Sequence, residues 1–220
     1  MKGIGKTLSS VLIVILLALI VFSGYNIFKI ISNYHAIDVI ADEAVEKYIY
    51  VDEDDFPKVD FASLQAVNSD VVAWIYIPDT NVNFPVVKGP SNYTYLNLDY
   101  TGSYSIAGSI FMDIACSSDF SDIETLLYGH NMHNGAMFGR LKKFNDSQYL
   151  EAHKDVFILL PSGETLKYRA SAGKYISVND DVYSLPKQGG EPETLVLSTC
   201  TDDSSDVERF VLICDYEGKL

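Results

Sequence analysis

The sequence predicts a mainly β domain, an antiparallel barrel or sandwich of eight short strands that follows an apolar N-terminal helix. Eight short runs rich in apolar and β-branched residues follow one another after position 70, with few helical patterns between them. Turn-forming pairs and triplets such as Pro–Asp, Gly–Pro and Pro–Ser–Gly separate several of these runs. The predicted strands are Val72–Ile77, Asn83–Val87, Gly108–Met112, Thr125–Tyr128, Val156–Leu160, Thr165–Ile176, Thr194–Ser198 and Phe210–Tyr216.

An uncharged apolar run near the N-terminus, residues 8–28, is long enough to cross a membrane, for which about twenty residues suffice. Lys2 and Lys6 precede it, so the N-terminus should stay in the cytoplasm and the rest of the chain should face outward. A cleaved signal peptide is the alternative, with Ser23 and Gly24 as the small residues near a cleavage site. We favour a single-pass anchor because the uncharged run continues beyond Gly24.

Helical patterns connect this run to the β domain. Apolar residues spaced three and four apart over 37–49 predict an amphipathic helix that packs on the domain. An acidic hinge, Asp52–Asp55, precedes a second short helix, Phe61–Val67, with Asp60 as its N-cap. Two short surface helices are predicted at Phe138–Lys143 and Gln148–Lys154. The predicted domain organisation is a cytoplasmic stub and anchor over 1–31, a helical appendage over 32–67 and the β domain over 68–220.

The charge of the chain excludes some classes of partner. The formal net charge is −14, and the first 30 residues hold three lysines and no acidic residue, so the remainder is more acidic still. An acidic domain is repelled by nucleic acid and by anionic lipid surfaces. We therefore expect no nucleic-acid partner, and contact with a membrane only through the N-terminal helix.

Cys200 lies just beyond the end of the predicted strand Thr194–Ser198. After Cys200 comes a polar loop, 201–208, and Arg209 then opens the next apolar run. A thiol is nucleophilic only as the thiolate, so a catalytic cysteine needs partial exposure and a cationic neighbour such as Arg209. These residues fit a nucleophile, and they fit equally well a small hydrophobic residue of the core.

A second strand, Thr125–Tyr128, also ends in a glycine and a polar residue, His130. Histidine is the usual proton donor and acceptor near neutral pH, and a cysteine with a distant histidine is a candidate nucleophile and partner. A single histidine at a strand end is more often structural. The joint pattern of His130, Cys200 and Arg209 at three strand ends favours a catalytic set.

The other two cysteines, Cys116 and Cys214, have no flanking motif, and we expect them to serve packing. Three cysteines at unrelated spacings argue against a disulfide framework and for at least one free thiol. The absence of any Cys-x-x-Cys pair argues against a thiolate zinc site.

A metal site built from His130 and His133, with Asp113, is the rival interpretation. Helical metal pairs prefer an i, i+4 spacing, whereas these histidines are three apart, and Asn131 and Gly135 favour a loop there. We therefore expect neither a metal ion nor a cofactor.

The run Leu197–Cys200 followed by Arg209 resembles the active-site signature of sortases, the cysteine transpeptidases of Gram-positive bacterial surfaces. The histidine region resembles that of class B sortases: Tyr128–Met132, then Gly135, Met137 and Phe138. Further matching segments, in order within residues 68–216, are Trp74–Ile77, Phe84–Val87, Asn92 with Tyr95–Leu96, and Gly108–Asp113. Two features differ from the family pattern. Val196 stands where the motif usually begins with threonine, and only Ser177–Glu193 is present where class B members usually carry a long helix-bearing insertion.

The resemblance implies an eight-stranded sortase-type β-barrel whose catalytic domain lies outside the cell. Such an enzyme would cut a C-terminal sorting signal of the Asn-Pro-x-Thr-x type in secreted proteins and transfer them to an amine of a peptidoglycan precursor. Cys200 would attack the threonine carbonyl to form a thioester, His130 would move protons, and Arg209 would hold the carbonyl or oxyanion. The implied substrate-binding residues are Asn92, Leu96, Ser198 and Thr199.

Three alternatives remain. A pilin-polymerising sortase would use a pilin lysine as the acceptor. A cysteine hydrolase would resolve the thioester with water. An inactive module would only bind the cell wall, but an intact set of Cys200, His130 and Arg209 argues against it.

Overall fold

The structure is a computed structural model that describes residues 2–51, 56–187, 190–200 and 207–220, except the side chains of residues 2–10, 33, 34, 36, 38 and 200. Its contacts divide the chain into two compact units after Val39. Helix α1, Lys2–Tyr48, makes up the first unit and continues into the second. The helix contains an apolar stretch, Val11–Ser32, that is long enough to cross a membrane.

The second unit begins with the last turns of α1 and a small two-stranded sheet. Strands β1 (Ile49–Val51) and β2 (Pro57–Val59) pair antiparallel. Neither was predicted, because β1 follows the end of α1 without a turn signal and β2 begins at a proline. The predicted acidic hinge, Asp52–Asp55, lies outside the described residues. Helix α2, Phe61–Val67, has the predicted bounds. The predicted N-cap is confirmed, since the carboxylate of Asp60 accepts a hydrogen bond from Ser63 N at 3.1 Å.

Eight further strands close into a barrel, so the predicted fold class is confirmed. The order around the barrel is β10-β8-β7-β3-β4-β5-β6-β9, and β10 and β9 pair to close it. The strands are β3 (Val71–Tyr76), β4 (Asn83–Val87), β5 (Ile110–Met112), β6 (Glu124–Tyr128), β7 (Asp155–Leu159), β8 (Thr165–Ser177), β9 (Thr194–Cys200) and β10 (Glu208–Lys219). All eight correspond to predicted strands, and their ends differ from the prediction by at most three residues.

Two neighbouring pairs, β4–β5 and β6–β9, are parallel, which corrects the expectation of a purely antiparallel barrel. Parallel neighbours need a long crossover between them. Residues 88–109 supply that crossover for the first pair, and residues 129–193 supply it for the second pair. The second crossover contains the predicted hairpin, in which the turn at Pro161–Gly163 joins β7 to β8. Strand β6 therefore lies beside a strand that comes 70 residues later.

Large apolar side chains fill the interior and cover the barrel. Trp74 and Leu64 are fully buried, and Ala44 and Tyr48 from the end of α1 pack in the same cluster, as predicted for the amphipathic helix. The two predicted surface helices appear as a 3₁₀ helix, Leu141–Asn145, and helix α3, Ser147–Ala152. Leu141 and Phe144 in the first of these are buried, so it serves the core as well as the surface.

Candidate active site

Three adjacent strands, β6, β9 and β10, bring the predicted catalytic set to one end of the barrel. Cys200 is paired directly with Arg209 across the antiparallel β9–β10 ladder. In the parallel β6–β9 ladder Tyr128 stands opposite Ser198, and Gly129 N donates to Ser198 O at 3.1 Å. His130 follows Tyr128 by two residues along the chain, as Cys200 follows Ser198. The side chain of Cys200 and the first part of the following loop, residues 201–206, lie outside the described residues.

A cleft of about 260 Å³ opens at this end of the barrel. All the sequence-predicted site residues whose side chains are described line it: His130, Arg209, Asn92, Leu96, Ser198 and Thr199. The structure adds Tyr93, Phe111, Tyr128 and Gly129 to its walls. The sequence carried a signal for Tyr128, which lies in the same run as His130, but none for Tyr93 or Phe111 as cleft residues.

The imidazole of His130 is held by the backbone of Leu96. The ring nitrogen Nε2 lies 2.7 Å from the carbonyl oxygen of Leu96. A carbonyl only accepts hydrogen bonds, so Nε2 carries a proton and donates it. The bonding pattern therefore assigns the tautomer with the hydrogen on Nε2, and Nδ1 is the nitrogen that can accept a proton.

The loop that carries His130 is closed on itself and is tightly packed. Phe138 N donates to His130 O at 3.1 Å, and Gly135, with φ +87°, makes the reversal between them. A Cβ at Gly129 would lie 2.6 Å from Ile110 Cδ1 and 2.6 Å from Phe138 Cδ2. Only glycine fits directly before His130, because both neighbours are buried.

The guanidinium of Arg209 lies at the cleft with most of its donors unused by the described residues. Nη1 donates to the carbonyl of Glu208 at 2.8 Å, and the side chain is half-buried. A guanidinium has five N–H donors in a planar fork and keeps its charge at every ordinary pH. Arg209 can therefore offer a fixed positive charge and several donors to a carbonyl or an oxyanion.

The short segment before β9 contacts the cleft residue Ser198 through Tyr183. The hydroxyl groups of Tyr183 and Ser198 are hydrogen-bonded at 2.8 Å. Lys187 donates to the carbonyl of Asp181 at 2.7 Å and to its carboxylate at 2.5 Å, which ties the segment together. No sequence signal pointed to Tyr183, since its partner lies 15 residues away. Beside Ser198, the buried hydroxyl of Thr199 has no hydrogen-bond partner among the described residues.

Asp113, which the rival interpretation took as a metal ligand, is bound by neutral donors. Its carboxylate accepts from Tyr128 OH, Asn92 Nδ2 and Ala115 N, each at 2.8 Å. In the described part of the chain, no three histidine, cysteine, aspartate or glutamate side chains come close enough to hold a metal ion.

Cys116 and Cys214 are free and buried, as the packing hypothesis predicts. Burial raises the pKa of the Cys116 thiol to about 11. Burial also raises the pKa of Cys214, which is fully enclosed by the wall of the barrel. Neither thiol forms a thiolate readily near neutral pH, so neither is suited to nucleophilic attack.

The sortase domain model matches residues 75–217, more than half of the chain. The chain belongs to the sortase family. Sortase B of Listeria monocytogenes is 34% identical over 157 residues, which cover 68% of this chain and 61% of that protein. The chain thus spans less than two thirds of the length of this relative.

Solved structures of class B sortases share the fold. A Streptococcus pyogenes class B sortase involved in pilus biogenesis is 29% identical with a TM-score of 0.63, covering 72% of this chain and 98% of that one. Sortase B from B. anthracis, solved in complex with AAEK1, is 25% identical with a TM-score of 0.66, covering 86% and 99%. The predicted resemblance to class B sortases is therefore confirmed.

Proposed function

We propose that this sortase is a membrane-anchored cysteine transpeptidase with Cys200 as nucleophile, His130 as proton carrier and Arg209 as carbonyl clamp. The observation that carries the proposal is the register of β6, β9 and β10. It pairs Arg209 with Cys200 and Tyr128 with Ser198, and the side chains of His130 and Arg209 both line one cleft. A nucleophile, a proton carrier and a fixed cation in that arrangement are what acyl transfer through a thioester requires.

The first half of the reaction cleaves the substrate. The Cys200 thiolate attacks the threonine carbonyl of the sorting signal, and a C–S bond forms as the oxygen becomes an oxyanion. The C–N bond then breaks, and the leaving amine takes a proton from His130. Because Nε2 of His130 donates to the Leu96 carbonyl, Nδ1 is the atom that exchanges this proton. A thioester and a free amine are left.

The second half transfers the acyl group. The acceptor amine gives a proton to Nδ1 of His130 and attacks the thioester carbonyl. The C–S bond breaks, a new amide bond forms and the Cys200 thiolate returns. Arg209 stabilises the oxyanion in both halves, because its charge and donors are already in place before charge develops. His130 begins the next cycle protonated, so the proton balance closes.

The substrate in this proposal is a secreted protein with a C-terminal sorting signal of the Asn-Pro-x-Thr-x type. The acceptor is an amine of a peptidoglycan precursor. A pilin lysine is the second candidate acceptor, because the matching Streptococcus pyogenes sortase is described as involved in pilus biogenesis. We place the substrate along the cleft walls at Asn92, Leu96, Ser198 and Thr199.

We also propose that residues 1–31 hold the cytoplasmic stub and anchor, 32–67 the appendage and 68–220 the catalytic barrel outside the cell. Exposed apolar side chains along Val11–Ser32 support an anchor, since such a surface is unfavourable in water. Cell fractionation should find the full-length chain in the membrane. A mature N-terminus near residue 24 would instead support a cleaved signal peptide.

Product analysis tests the proposed reaction. The full chain is incubated with an Asn-Pro-x-Thr-x peptide, with and without an amine acceptor, and the products are identified by mass spectrometry. We expect a ligated product whose amount rises with acceptor concentration. Hydrolysis at the same rate in all samples would identify a cysteine hydrolase. No product, together with a Cys200 that does not react with a methanethiosulfonate reagent, would identify an inactive binding module.

A further inference from the structure

The carbonyl that holds His130 belongs to a short turn on the crossover between β4 and β5. Leu96 is the last residue of a 3₁₀ helix, Thr94–Leu96, within residues 88–109. Its carbonyl oxygen lies 2.7 Å from Nε2 of His130. In a neutral imidazole only one ring nitrogen carries a hydrogen, and the hydrogen-bond partner decides which one it is. The direction of the Leu96 carbonyl therefore sets the tautomer of His130.

A glycine near the end of the same crossover leaves the space that this carbonyl occupies. Gly108 has φ +57°, and a Cβ added there would lie 2.5 Å from Leu96 O and 2.6 Å from Tyr95 O. Even close C–H···O contacts keep carbon and oxygen about 3.3 Å apart. Both oxygens belong to the backbone, so a side chain at position 108 would push the turn away from its present position. The next residue holds the turn in place, since Ser109 N donates to Tyr95 O at 3.1 Å.

The side chain of Tyr95 fastens the turn to the chain that precedes β3. Its hydroxyl donates to Asp70 Oδ2 at 2.8 Å and accepts from Asn68 Nδ2 at 2.8 Å. The ring is buried, and burial raises the pKa of Tyr95 to about 12, so the hydroxyl keeps its hydrogen. Asn68 Nδ2 also donates to Tyr100 O at 2.7 Å, which fixes a second point of the crossover. Tyr95, Asp70 and Asn68 are not among the described residues that line the cleft.

We propose that Gly108 and Tyr95 are positioning residues that aim the Leu96 carbonyl at His130 and so reserve Nδ1 for proton exchange. The inference rests on the proposed function, in which His130 moves protons at Nδ1. Without the carbonyl, the hydrogen of the neutral ring can reside on Nδ1, and Nδ1 then cannot accept a proton from the acceptor amine. A displacement of about 1 Å at a catalytic group can lower the rate about 10²-fold.

Gly108→Ala in the full chain tests the position of the carbonyl, and we expect kcat for a sorting peptide to fall about 10²-fold. Gly102→Ala is the matched control. Gly102 lies on the same crossover at φ +86°, and nothing lies within 4 Å of the Cβ that it would gain. Alanine rarely adopts a positive φ, so both variants should lose thermal stability, whereas Gly102→Ala should keep the wild-type kcat. Equal losses of kcat in the two variants would overturn the inference.

Tyr95→Phe is the milder variant, and Thr101→Val, on the same crossover, is its control. Each removes a hydroxyl that donates to a carboxylate, Asp70 in the first variant and Asp99 in the second. Tyr95→Phe should lower kcat by up to about 10-fold, which is what one hydrogen bond contributes to holding a position. Thr101→Val should leave kcat unchanged. A wild-type kcat in Tyr95→Phe would overturn the role of Tyr95.

The tautomer of His130 can be read without substrate, which separates the inference from the proposed function. The full chain with ¹⁵N-labelled histidine is studied by NMR in detergent micelles, in alkaline solution where imidazole rings are neutral. The ring signals of His130 are assigned by their loss in His130→Gln. We expect the hydrogen on Nε2 in wild type and in Gly102→Ala, and a mixture of tautomers in Gly108→Ala.

Two outcomes of this measurement distinguish the hypotheses. The same tautomer in Gly108→Ala as in wild type would overturn the inference, even if the wild-type chain ligates sorting peptides. The expected tautomers, without cleavage of any sorting peptide by the wild-type chain, would support the positioning of His130 and defeat the proposed function only.

Discussion

The middle and the cleft end of the same three strands, β6, β9 and β10, differ completely in chemistry. In the middle, Leu126 and Leu127, Leu195–Leu197 and Phe210–Leu212 are all fully buried. At the cleft end the corresponding strands carry Tyr128, Ser198 and Arg209. Both faces of these strands are buried in the middle, so a shift of one residue would exchange side chains of different size between two tightly packed surfaces, and packing specifies the register. The polar ends inherit that register, which pairs Arg209 with Cys200 and Tyr128 with Ser198.

The cysteines show the same difference within one sheet. Cys214 lies in the middle of β10, paired with Leu195, and burial raises its pKa. Cys200 is the last residue of β9 and is paired with the charged Arg209. Burial thus disfavours a thiolate at Cys214, whereas the proposed nucleophile stands at the end of its strand.

The largest expected effect comes from replacing the two cysteines in turn. Cys200→Ala should abolish cleavage of a sorting peptide, because no other thiol at the cleft can form the acyl-enzyme. Cys214→Ala should keep most of the activity and lose stability instead, since it leaves a gap in a packed wall. Cleavage assays and thermal unfolding measure the two effects. Substantial cleavage by Cys200→Ala would refute the mechanism, and Cys116→Ala serves as a second active control.

A smaller loss is expected from Arg209→Lys, which keeps the charge but removes the planar fork. If Arg209 holds the carbonyl or oxyanion, the substitution should lower kcat/KM by about 10²- to 10³-fold. Steady-state kinetics on a sorting peptide measures it. Arg169→Lys, at a surface arginine that binds Glu217 on the neighbouring strand, should leave kcat/KM unchanged. Near-wild-type turnover of Arg209→Lys would reduce its role to that of a neighbouring charge.

The smallest expected effect is that of Gly129→Ala, at the junction between the middle of β6 and its polar end. The added methyl would meet Ile110 and Phe138 at 2.6 Å, so the wall must shift at a cost of about 1–3 kcal/mol. We expect a lower unfolding midpoint and a lower kcat, because His130 follows directly.

Gly24→Ala provides the control for that substitution, since nothing lies within 4 Å of the methyl it would add. Its stability and activity should match those of wild type. If Gly129→Ala also matched wild type in both measurements, the packing before His130 would not position the imidazole.

The sequence by itself predicted the local elements of this protein. The eight strands, the hairpin at Pro161–Gly163 and the Asp60 cap all follow from apolar periodicity and turn chemistry over a few residues. It also pointed to His130, Cys200 and Arg209 as residues at strand ends, and the match to sortase motifs led to the proposal that they share one function. The strands β1 and β2 were not predicted, because β1 follows the end of α1 without a turn signal and β2 begins at a proline.

The tertiary structure alone decided which strands are neighbours and what faces the cleft. The parallel pairing of β6 with β9 joins segments 70 residues apart, and no local pattern encodes such a pairing. The nitrogen of His130 that can exchange a proton in the proposed mechanism is set by a carbonyl 34 residues away, and the hydroxyl of Tyr128 donates to Asp113, 15 residues away. The local sequence determines the chemical groups that each strand carries. Which of these groups become neighbours is determined by the packing of the whole barrel, because register is a property of packed strands and not of any single strand.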